Sequence, residues 1–252
     1  MPRFAANLDF LFKELPFLDR FQAAAQAGFE AVEVLFPYDY AASEITGRLR
    51  INDLKMALIN TPPPNWTGGA RGFAALPGSE KRFRHDFTRA LRFAKVLGAQ
   101  HLHIMAGRAR GLVAHRTFVE NLKWATAQAP GQSLTIEPIN NTDMEGYFLN
   151  DFALAAEVIA EVGAPNLALQ YDAYHAQMIT GDAEQVWAEY GHLVRHIQVG
   201  GYPGRHEPTG GEIDYPKFFA ALDMIGYQGW VSGEYHPAGK TVDGLGWMKA
   251  QA

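Results

Sequence analysis

The sequence predicts an α/β fold, a closed (β/α)8 TIM barrel, from three observations. Short apolar runs alternate with longer amphipathic segments about eight times along the chain. The length of 252 residues is typical of one such barrel. No glycine-rich turn follows the first apolar run, whereas an open sheet that binds a dinucleotide would carry one there. We therefore expect a single barrel domain spanning residues 1–252.

Proline and glycine separate the elements in the first half of the chain. Pro16 and Gly28 flank the first predicted helix, and Gly98 ends the third, as is typical of helix termini. Phe87 and Val96 are both placed on the apolar face of that third helix. The predicted elements are strand 4–8, helix 16–27, strand 31–36, helix 43–52, strand 55–60, helix 80–97, strand 101–106 and helix 118–129.

The second half continues the same alternation. Asn150 is placed to cap the helix that follows the fifth strand, and the tail, 239–252, is expected to hold a short final helix. The predicted elements are strand 134–140, helix 151–162, strand 167–172, helix 182–190, strand 194–198, helix 215–225 and strand 229–234.

Two long loops rich in glycine and proline interrupt this pattern. The first, 61–79, contains Trp66, Arg71 and Phe73. A loop of that length in a compact domain is usually functional or disordered, and its aromatic and cationic side chains favour a loop that covers a substrate. The second, 200–214, has a similar composition.

Composition excludes several classes of function. The net charge of −5 gives no electrostatic basis for binding nucleic acid or an anionic membrane. The basic stretch 81–92 has helical spacing and is interpreted as a solvated helix face. The chain has no cysteine, which excludes disulfides, thiolate metal sites and a cysteine nucleophile. Without a secretory signal or a long apolar run, the expected location is the cytoplasm.

Polar residues end four consecutive predicted strands, the fifth to the eighth. They are Glu137, Asp172, Gln198 and Glu234. Because the carboxyl ends of all barrel strands share one mouth, these side chains are expected to converge there. Three carboxylates and an amide oxygen suit Mg2+ or Mn2+ rather than a soft metal. Taken singly, each of these residues could be a surface or capping residue. The side chain of Gln198 could simply form hydrogen bonds with backbone groups at the strand end.

Histidines and arginines near the same mouth are candidate substrate contacts. His175 follows Asp172 by three positions, and His103 is expected to point inward on the fourth strand. His206 on the seventh-strand loop is a further candidate. The carboxylate of an acidic substrate would need a cation, for which Arg71 and Arg205 rank ahead of Arg108. Surface exposure is the alternative for each arginine.

Long irregular segments give the chain a family resemblance. They are AANLDFLF, FEAVEVLFPY, NTPPPNW, RGFAALPG, HIMAG, LTIEPIN, QYDAYHAQ, HIQVGGYPGRHEP, GEIDY and GYQGWVSGEYHP. With them the sequence resembles the xylose isomerase-like barrels, and among these the hydroxypyruvate isomerases and 2-oxo-tetronate isomerases. Asn7, within the first segment, joins the candidate substrate-binding residues.

The resemblance implies roles for the strand-end residues. Glu137 and Glu234 would be the acid/base pair and would also hold a divalent metal, whose coordination Asp172 and Gln198 would complete. Many sugar epimerases of the superfamily have histidine at the position of Gln198, so a weakly bound or dispensable cation is an open alternative. His175 and Arg205 would contact the substrate.

The activity that the resemblance implies is isomerisation of a small hydroxy-oxo acid through an enediolate, without nucleic acid or membrane partners. The sequence leaves open whether the protein forms a homo-oligomer. Three alternatives stand beside it: a ketose 3-epimerase acting on a neutral sugar, a barrel that binds metal and sugar without catalysis, and a DNA-repair endonuclease. The endonuclease would need extra histidine and acid ligands for a zinc cluster and a basic surface, which the sequence does not favour.

Overall fold

Eight parallel strands form a closed barrel in the order β1-β2-β3-β4-β5-β6-β7-β8, as predicted. The computed structural model describes residues 2–61 and 71–248, so Trp66 and the rest of 62–70 in the first long loop lie outside the described residues. The strands are β1 Arg3–Asn7, β2 Ala31–Glu33, β3 Lys55–Asn60, β4 His101–His103, β5 Ser133–Ile136, β6 Leu167–Asp172, β7 Val194–Val199 and β8 Trp230–Gly233.

Helices alternate with these strands. They are α1 Phe17–Gln26, α2 Ala42–Ile51, α3 Glu80–Leu97, α4 Gly111–Gln128, α5 Phe152–Val162, α6 Ala173–Thr180, α7 Ala183–Tyr190 and α8 Tyr215–Met224. Short 3-10 helices cover Pro37–Asp39, Gly191–Leu193 and Thr241–Met248, so the short helix expected in the tail is of the 3-10 type. Among the described helices, none combines the length and the apolar composition needed to cross a membrane.

The third helix shows how the sequence produces these elements. In α3, Phe83, Phe87 and Leu91 recur at helical spacing and are buried, and Gly98 ends the helix with φ +64°. The basic stretch 81–92 carries its cationic side chains on the exposed face. Val96 does not belong to the apolar face, because 56% of it is exposed while Leu97 is buried.

Several predicted boundaries were wrong for physical reasons. The second, fourth and fifth strands end earlier than their apolar runs, because loop residues such as Val34 and Ile104 remain buried after leaving the sheet. Helix α4 begins at Gly111 instead of 118, since Leu112 and Val113 in its first turn are exposed and hide the amphipathic pattern.

Two details beside β5 and β6 also differ from the prediction. Asp151, not Asn150, caps α5, with its carboxylate accepting a hydrogen bond of 2.8 Å from the amide of Leu154. Asn150 donates instead to the carbonyl of Tyr147. The helix α6 is not predicted at all, because its first five residues are buried and it shows no polar face from which a helical period could be read.

Strand alternation divides the buried side chains into two regions. On β6, Tyr171 points outward and packs against Trp187 and Phe218, while Gln170 and Asp172 point inside the barrel. The amino-terminal end of the interior is closed by a small apolar cluster consisting of Ala5, Ala31, Ala57 and Trp230. Above that cluster the interior is polar, and this positions the candidate site.

Candidate active site

A cavity of about 110 Å³ opens at the carboxyl ends of the strands. The predicted residues that line it are Glu137, Gln198, Glu234, His103, His175, Arg71 and Arg205. A larger cavity of about 290 Å³ lies outside the barrel beside α7 and α8, and none of the predicted site residues lines it. The chemistry is therefore concentrated in the smaller cavity at the mouth.

Glu137 lies one residue beyond the end of β5, and only 5% of it is exposed. Its Oε2 accepts a 2.9 Å hydrogen bond from Gln170 and is 3.6 Å from Nδ1 of His103. Burial raises the pKa of Glu137 well above its ordinary value, and the negative charges of Glu234 and Asp172 raise it further. This glutamate can therefore hold or release a proton nearer neutral pH than an exposed glutamate.

Glu234 directly follows β8, and its backbone amide donates to the carbonyl of Val199 at 2.9 Å. Its Oε2 accepts hydrogen bonds from Asn7 at 2.7 Å and from Gln198, and its Oε1 accepts one of 2.7 Å from Arg205. Burial raises the pKa of Glu234 well above its ordinary value, although the nearby guanidinium opposes that rise. Both candidate acid/base glutamates therefore face one cavity.

Arg205 links two of the three predicted carboxylate ligands. Its Nη2 is 2.7 Å from Asp172 Oδ2 and 2.7 Å from Glu234 Oε1, and its guanidinium carbon lies 4.8 Å from the ring centre of Tyr174 and 5.0 Å from that of Phe10. Although burial opposes the charge, the two carboxylates outweigh it and raise the pKa of Arg205. The guanidinium therefore partly neutralises the cluster of acids.

The surroundings of His175 determine which of its nitrogens carries the proton. Asn140 accepts backbone hydrogen bonds at its Oδ1 from Thr142 and Asp143, so its amide nitrogen faces Nδ1 of His175, at 2.7 Å. Burial lowers the pKa of His175 to about 4. The neutral ring therefore accepts at Nδ1 and carries its proton on Nε2, which lies 3.6 Å from Asp172 Oδ2.

His103 points inward on β4, as predicted, and is buried beside Glu137. Its Nδ1 is 3.1 Å from the side-chain oxygen of Asn60, and burial lowers its pKa to about 3. The ring is therefore neutral, with Nδ1 donating to Asn60. Its Nε2 is buried and has no hydrogen-bond partner among the described residues.

The side-chain amides of Gln198 and Asn7 both donate hydrogen bonds to buried glutamates. The amide nitrogen of Gln198 donates to Glu33 at 2.8 Å and to Glu234, while its oxygen accepts from Gln170 at 2.7 Å. The side chain of Asn7 is fully buried and donates to the same two glutamates. The Gln198 oxygen thus accepts one hydrogen bond, and its role as a metal ligand stays a prediction, while Asn7 lies beneath the cavity lining.

Glu33 is absent from the residues that the sequence predicts for the site. It ends β2 and is completely buried, and burial raises its pKa to about 7 although the hydrogen bonds that it accepts oppose the rise. The available signal was a lone acid within the apolar run AVEVLF. That run is short, and nothing local in it shows that Glu33 reaches residues of β1, β7 and β8.

Arginine and histidine candidates on the loops have different positions. Arg71 is exposed at the rim and lines the cavity, and no carboxylate of residues 2–61 or 71–248 forms an ion pair with it. Arg108 is exposed, and its backbone pairs with Tyr147. His206 is exposed, and its Nδ1 is 2.8 Å from the carbonyl of His236. Neither Arg108 nor His206 lines the cavity.

One group of ligands in the described part of the chain has metal-binding spacing. One oxygen each of Glu137 and Asp172 and one nitrogen of His175 all lie within 4.8 Å of one another, so the site could hold a metal ion. The crowding of the acids supports a cation there, since like charges in a buried site repel. The proton that Asn140 places on Nε2 of His175 opposes coordination by that nitrogen, so carboxylates are the better ligands here.

Known proteins of closely similar sequence have this architecture. Residues 21–251 match the family described as xylose isomerase-like TIM barrel. The 2-oxo-tetronate isomerase of Cupriavidus necator is 48% identical over 99% of this chain and 98% of its own length. The hydroxypyruvate isomerase of Escherichia coli is 39% identical over 98% of each chain. The chain belongs to the xylose isomerase-like TIM barrel family.

The predicted family resemblance is thus confirmed, and the identity to named isomerases over almost the whole chain shows that the protein is an isomerase of the xylose isomerase-like TIM barrel family. A crystal structure titled AP endonuclease, family 2, from Brucella melitensis matches with a TM-score of 0.95 and 43% identity, covering 99% of this chain and 98% of that one. In TIM barrels the catalytic residues lie at the carboxyl ends of the strands, and Glu137, Asp172 and Glu234 lie at such ends here.

Proposed function

We propose that the protein isomerises a small hydroxy-oxo acid, either hydroxypyruvate, to give 2-hydroxy-3-oxopropanoate, or a 2-oxo-tetronate. The observation that carries the proposal is that Glu137 and Glu234 line one cavity of about 110 Å³, which suits a substrate of few atoms. Relatives named for both activities, at 39% and 48% identity, support the same substrate class.

The two glutamates supply the proton transfers. With hydroxypyruvate, a proton leaves C3 and the C2 carbonyl becomes the oxyanion of an enediolate. The proton of the C3 hydroxyl group passes to the oxygen on C2, and a proton returns to C2 as C3 becomes an aldehyde. Burial raises the pKa of Glu137 and of Glu234, so one carboxyl group can hold a proton while the other accepts one. A base and an acid whose pKa values lie near the working pH are the most effective at such transfers.

Neutral histidines orient the substrate oxygens. His175 carries its proton on Nε2 and can donate to the oxyanion that develops at C2, while His103 lines the cavity beside Glu137. Since burial lowers the pKa of both rings to about 4 or below, these roles stay the same across neutral pH. Arg205, fixed between Asp172 and Glu234, adds positive charge beside the same oxygens.

Arg71 is the arginine best placed to bind the substrate carboxylate. Arg205 already bonds two carboxylates, whereas Arg71 reaches the cavity from the rim. The backbone holds this region in place: at Gly72, with φ +89°, an added Cβ would lie 2.3 Å from the carbonyl oxygen of Met105, and at Gly107 it would lie 2.3 Å from that of Gly72. This close packing constrains the backbone next to Arg71, which supports its proposed role.

A divalent cation, Mg2+ or Mn2+, fits the same site. Its ligands would be the carboxylates of Glu137, Asp172 and Glu234, because hard cations prefer oxygen. When bound, it would stabilise the negative charge on the substrate oxygens. Arg205 would then share Asp172 and Glu234 with the cation, so tight binding would require its guanidinium to shift toward the substrate.

The test is an isomerisation assay of the purified protein on hydroxypyruvate and on 2-oxo-tetronates, with and without a chelator. We expect turnover of at least one of these acids, at a rate well above that on fructose or tagatose. Faster turnover of the neutral ketoses would favour the 3-epimerase instead. Turnover that survives chelation would assign the charge stabilisation to Arg205 and the histidines alone.

DNA cleavage is the second candidate, because one similar structure carries an endonuclease title. The net charge of −5 and a single three-residue group of potential metal ligands in the described residues do not favour it. Incubation with DNA containing an abasic site tests it directly. Cleavage that depends on Glu137 would replace the isomerase proposal.

A further inference from the structure

We infer that Glu33 positions Glu234 for proton transfer, although Glu33 itself does not line the cavity. The inference rests on the proposed function for its catalytic consequence, and on hydrogen-bond geometry for its structural part. Glu33 ends β2 and is completely buried, so it touches no substrate. It acts through Asn7 and Gln198, each of which bonds both glutamates, and its carboxyl group is also within hydrogen-bond reach of that of Glu234.

A closed ring of four hydrogen bonds connects Glu33 to Glu234. The amide nitrogen of Asn7 lies 2.7 Å from Glu33 Oε1 and 2.7 Å from Glu234 Oε2. The amide nitrogen of Gln198 lies 2.8 Å from that same oxygen of Glu33 and also donates to that same oxygen of Glu234. An amide NH2 has two hydrogens, so each amide gives one hydrogen to each glutamate.

The direction of both amides is determined by their other contacts. The side-chain oxygen of Asn7 accepts from the backbone amide of Asp9 at 2.9 Å, and that of Gln198 accepts from the side chain of Gln170 at 2.7 Å. If either side-chain amide were rotated by 180°, its NH2 group would face the N–H donor that its oxygen now accepts from, and the two donors would repel each other. Both NH2 groups are therefore held toward the ring.

Glu33 is also anchored on its other oxygen. Nε2 of His196 is 2.6 Å from Glu33 Oε2, and this histidine is fully buried on β7. The ring residues and His196 thus come from β1, β2 and β7, and they hold a residue at the end of β8. Because each of these strands is part of the closed sheet, the ring has little freedom to move.

The consequence for catalysis concerns the orientation of Glu234. Its Oε2 is held by the two amides, and its Oε1 bonds Arg205. Without the acceptor on Glu33, each amide would lose one of its two partners and could rotate away from Glu234. A displacement of about 1 Å at a reacting group can lower the rate about 100-fold.

The experiment is a double-mutant cycle. Glu33→Leu removes the acceptor, and we expect it to lower kcat about 100-fold with little change in KM. Glu33→Gln keeps an acceptor oxygen of the same reach and should recover most of that loss. In the Glu234→Gln background, Glu33→Leu should change the residual rate by less than about twofold, because the group that it positions is already lost. Equal losses in both backgrounds would overturn the inference.

Two controls separate positioning from stability. Asn7→Ala breaks the same ring without touching Glu33 and should reproduce the fall in kcat at constant KM, which covers the case that Glu33→Leu does not fold. Asn166→Leu removes a half-buried polar side chain just before β6, at the opposite end of the barrel from the mouth, one that donates to the carbonyl of Ala129 at 2.9 Å, and should leave kcat unchanged. A loss of kcat in Asn166→Leu as large as that in Asn7→Ala would assign the effect to general destabilisation.

Crystal structures of Asn7→Ala and Glu33→Leu provide a readout that needs no activity. We expect the carboxylate of Glu234 to move from its wild-type position, and to stay there in Glu33→Gln. A Glu234 that is unmoved in both ring-breaking variants refutes the positioning role, whatever the substrate is. A wild-type protein inactive on every hydroxy-oxo acid would instead refute the proposed function, and the crystal comparison would still decide the role of Glu33.

Discussion

The inside of the barrel and the layer between its strands and helices are both buried, but they hold opposite kinds of side chain. Ile197 belongs to the apolar core and Tyr171 packs against Trp187 on the helix side, whereas the neighbouring Gln198, Gln170 and Asp172 face inward and form hydrogen bonds. Because successive strand residues point to opposite sides, one strand serves both regions.

The contrast between the barrel interior and the outer layer shows that different residues provide stability and chemistry in this fold. The outer layer gains free energy from apolar area removed from water. The interior contains buried acids and amides, which would be costly without partners, and it supplies those partners from other strands. We therefore expect mutations in the interior mouth to act mainly on rate and those in the outer layer mainly on stability.

The largest effect is expected at the two cavity glutamates. Glu137→Gln and Glu234→Gln each keep the shape of the side chain but remove its proton-transfer capacity, so kcat should fall about 10³-fold. Steady-state turnover measures the fall in kcat, and a thermal melt checks that the variant keeps its fold. Near-normal rates in either variant would remove that glutamate from the acid/base pair.

The outer layer should show the reverse behaviour. Phe87 is buried against Phe83 and Trp124, with ring centroids 6.0 and 5.7 Å away. Phe87→Ala should lower the free energy of unfolding by about 3 kcal/mol, through lost contacts and a cavity, while kcat at a temperature where the variant is folded stays unchanged. Urea unfolding and turnover check this. A matching fall in kcat would show that the two regions are not separate.

A substitution at Asn140 tests the tautomer of His175. Asn140→Asp replaces the NH2 that faces Nδ1 with an acceptor, so the proton should move to Nδ1 and leave Nε2 unable to donate. We expect kcat to fall about 100-fold, without loss of the fold. Asn141→Asp adds the same charge at an exposed neighbour and serves as the matched control. If both variants lose activity equally, charge rather than the tautomer is responsible.

The smallest effect at neutral pH, where it vanishes, concerns the dependence of stability on pH. Burial lowers the pKa of His101 to about 3 in the folded protein, below the 6.5 of a free histidine, so the unfolded chain binds more protons below pH 6.5. The stabilisation is therefore complete above that pH and is lost as the pH falls toward 3, at about 1.4 kcal/mol per pH unit. His101→Gln should reduce the slope of unfolding free energy against pH between 6 and 4. An unchanged slope would show that other groups cause it.

Strand-end residues were predictable because they follow a local rule. An acid that stops an apolar run marks the place where a strand leaves the core, and this led to Glu137, Asp172 and Glu234 at the mouth. The rule fails for Glu33, which also ends a strand, since the apolar run AVEVLF continues beyond it. Nor does the sequence predict α6, because its buried residues show no helical periodicity.

Sequence alone determined the closed barrel, its family and the end of the barrel at which the acids collect, because alternation and run endings are properties of neighbouring residues. Only the tertiary structure determined which residues the buried polar side chains bond to. The bond from Asn7 to Glu234 spans 227 positions and that from Gln198 to Glu33 spans 165. Such contacts depend on how the sheet closes, and closure brings together donors and acceptors that no local pattern can pair.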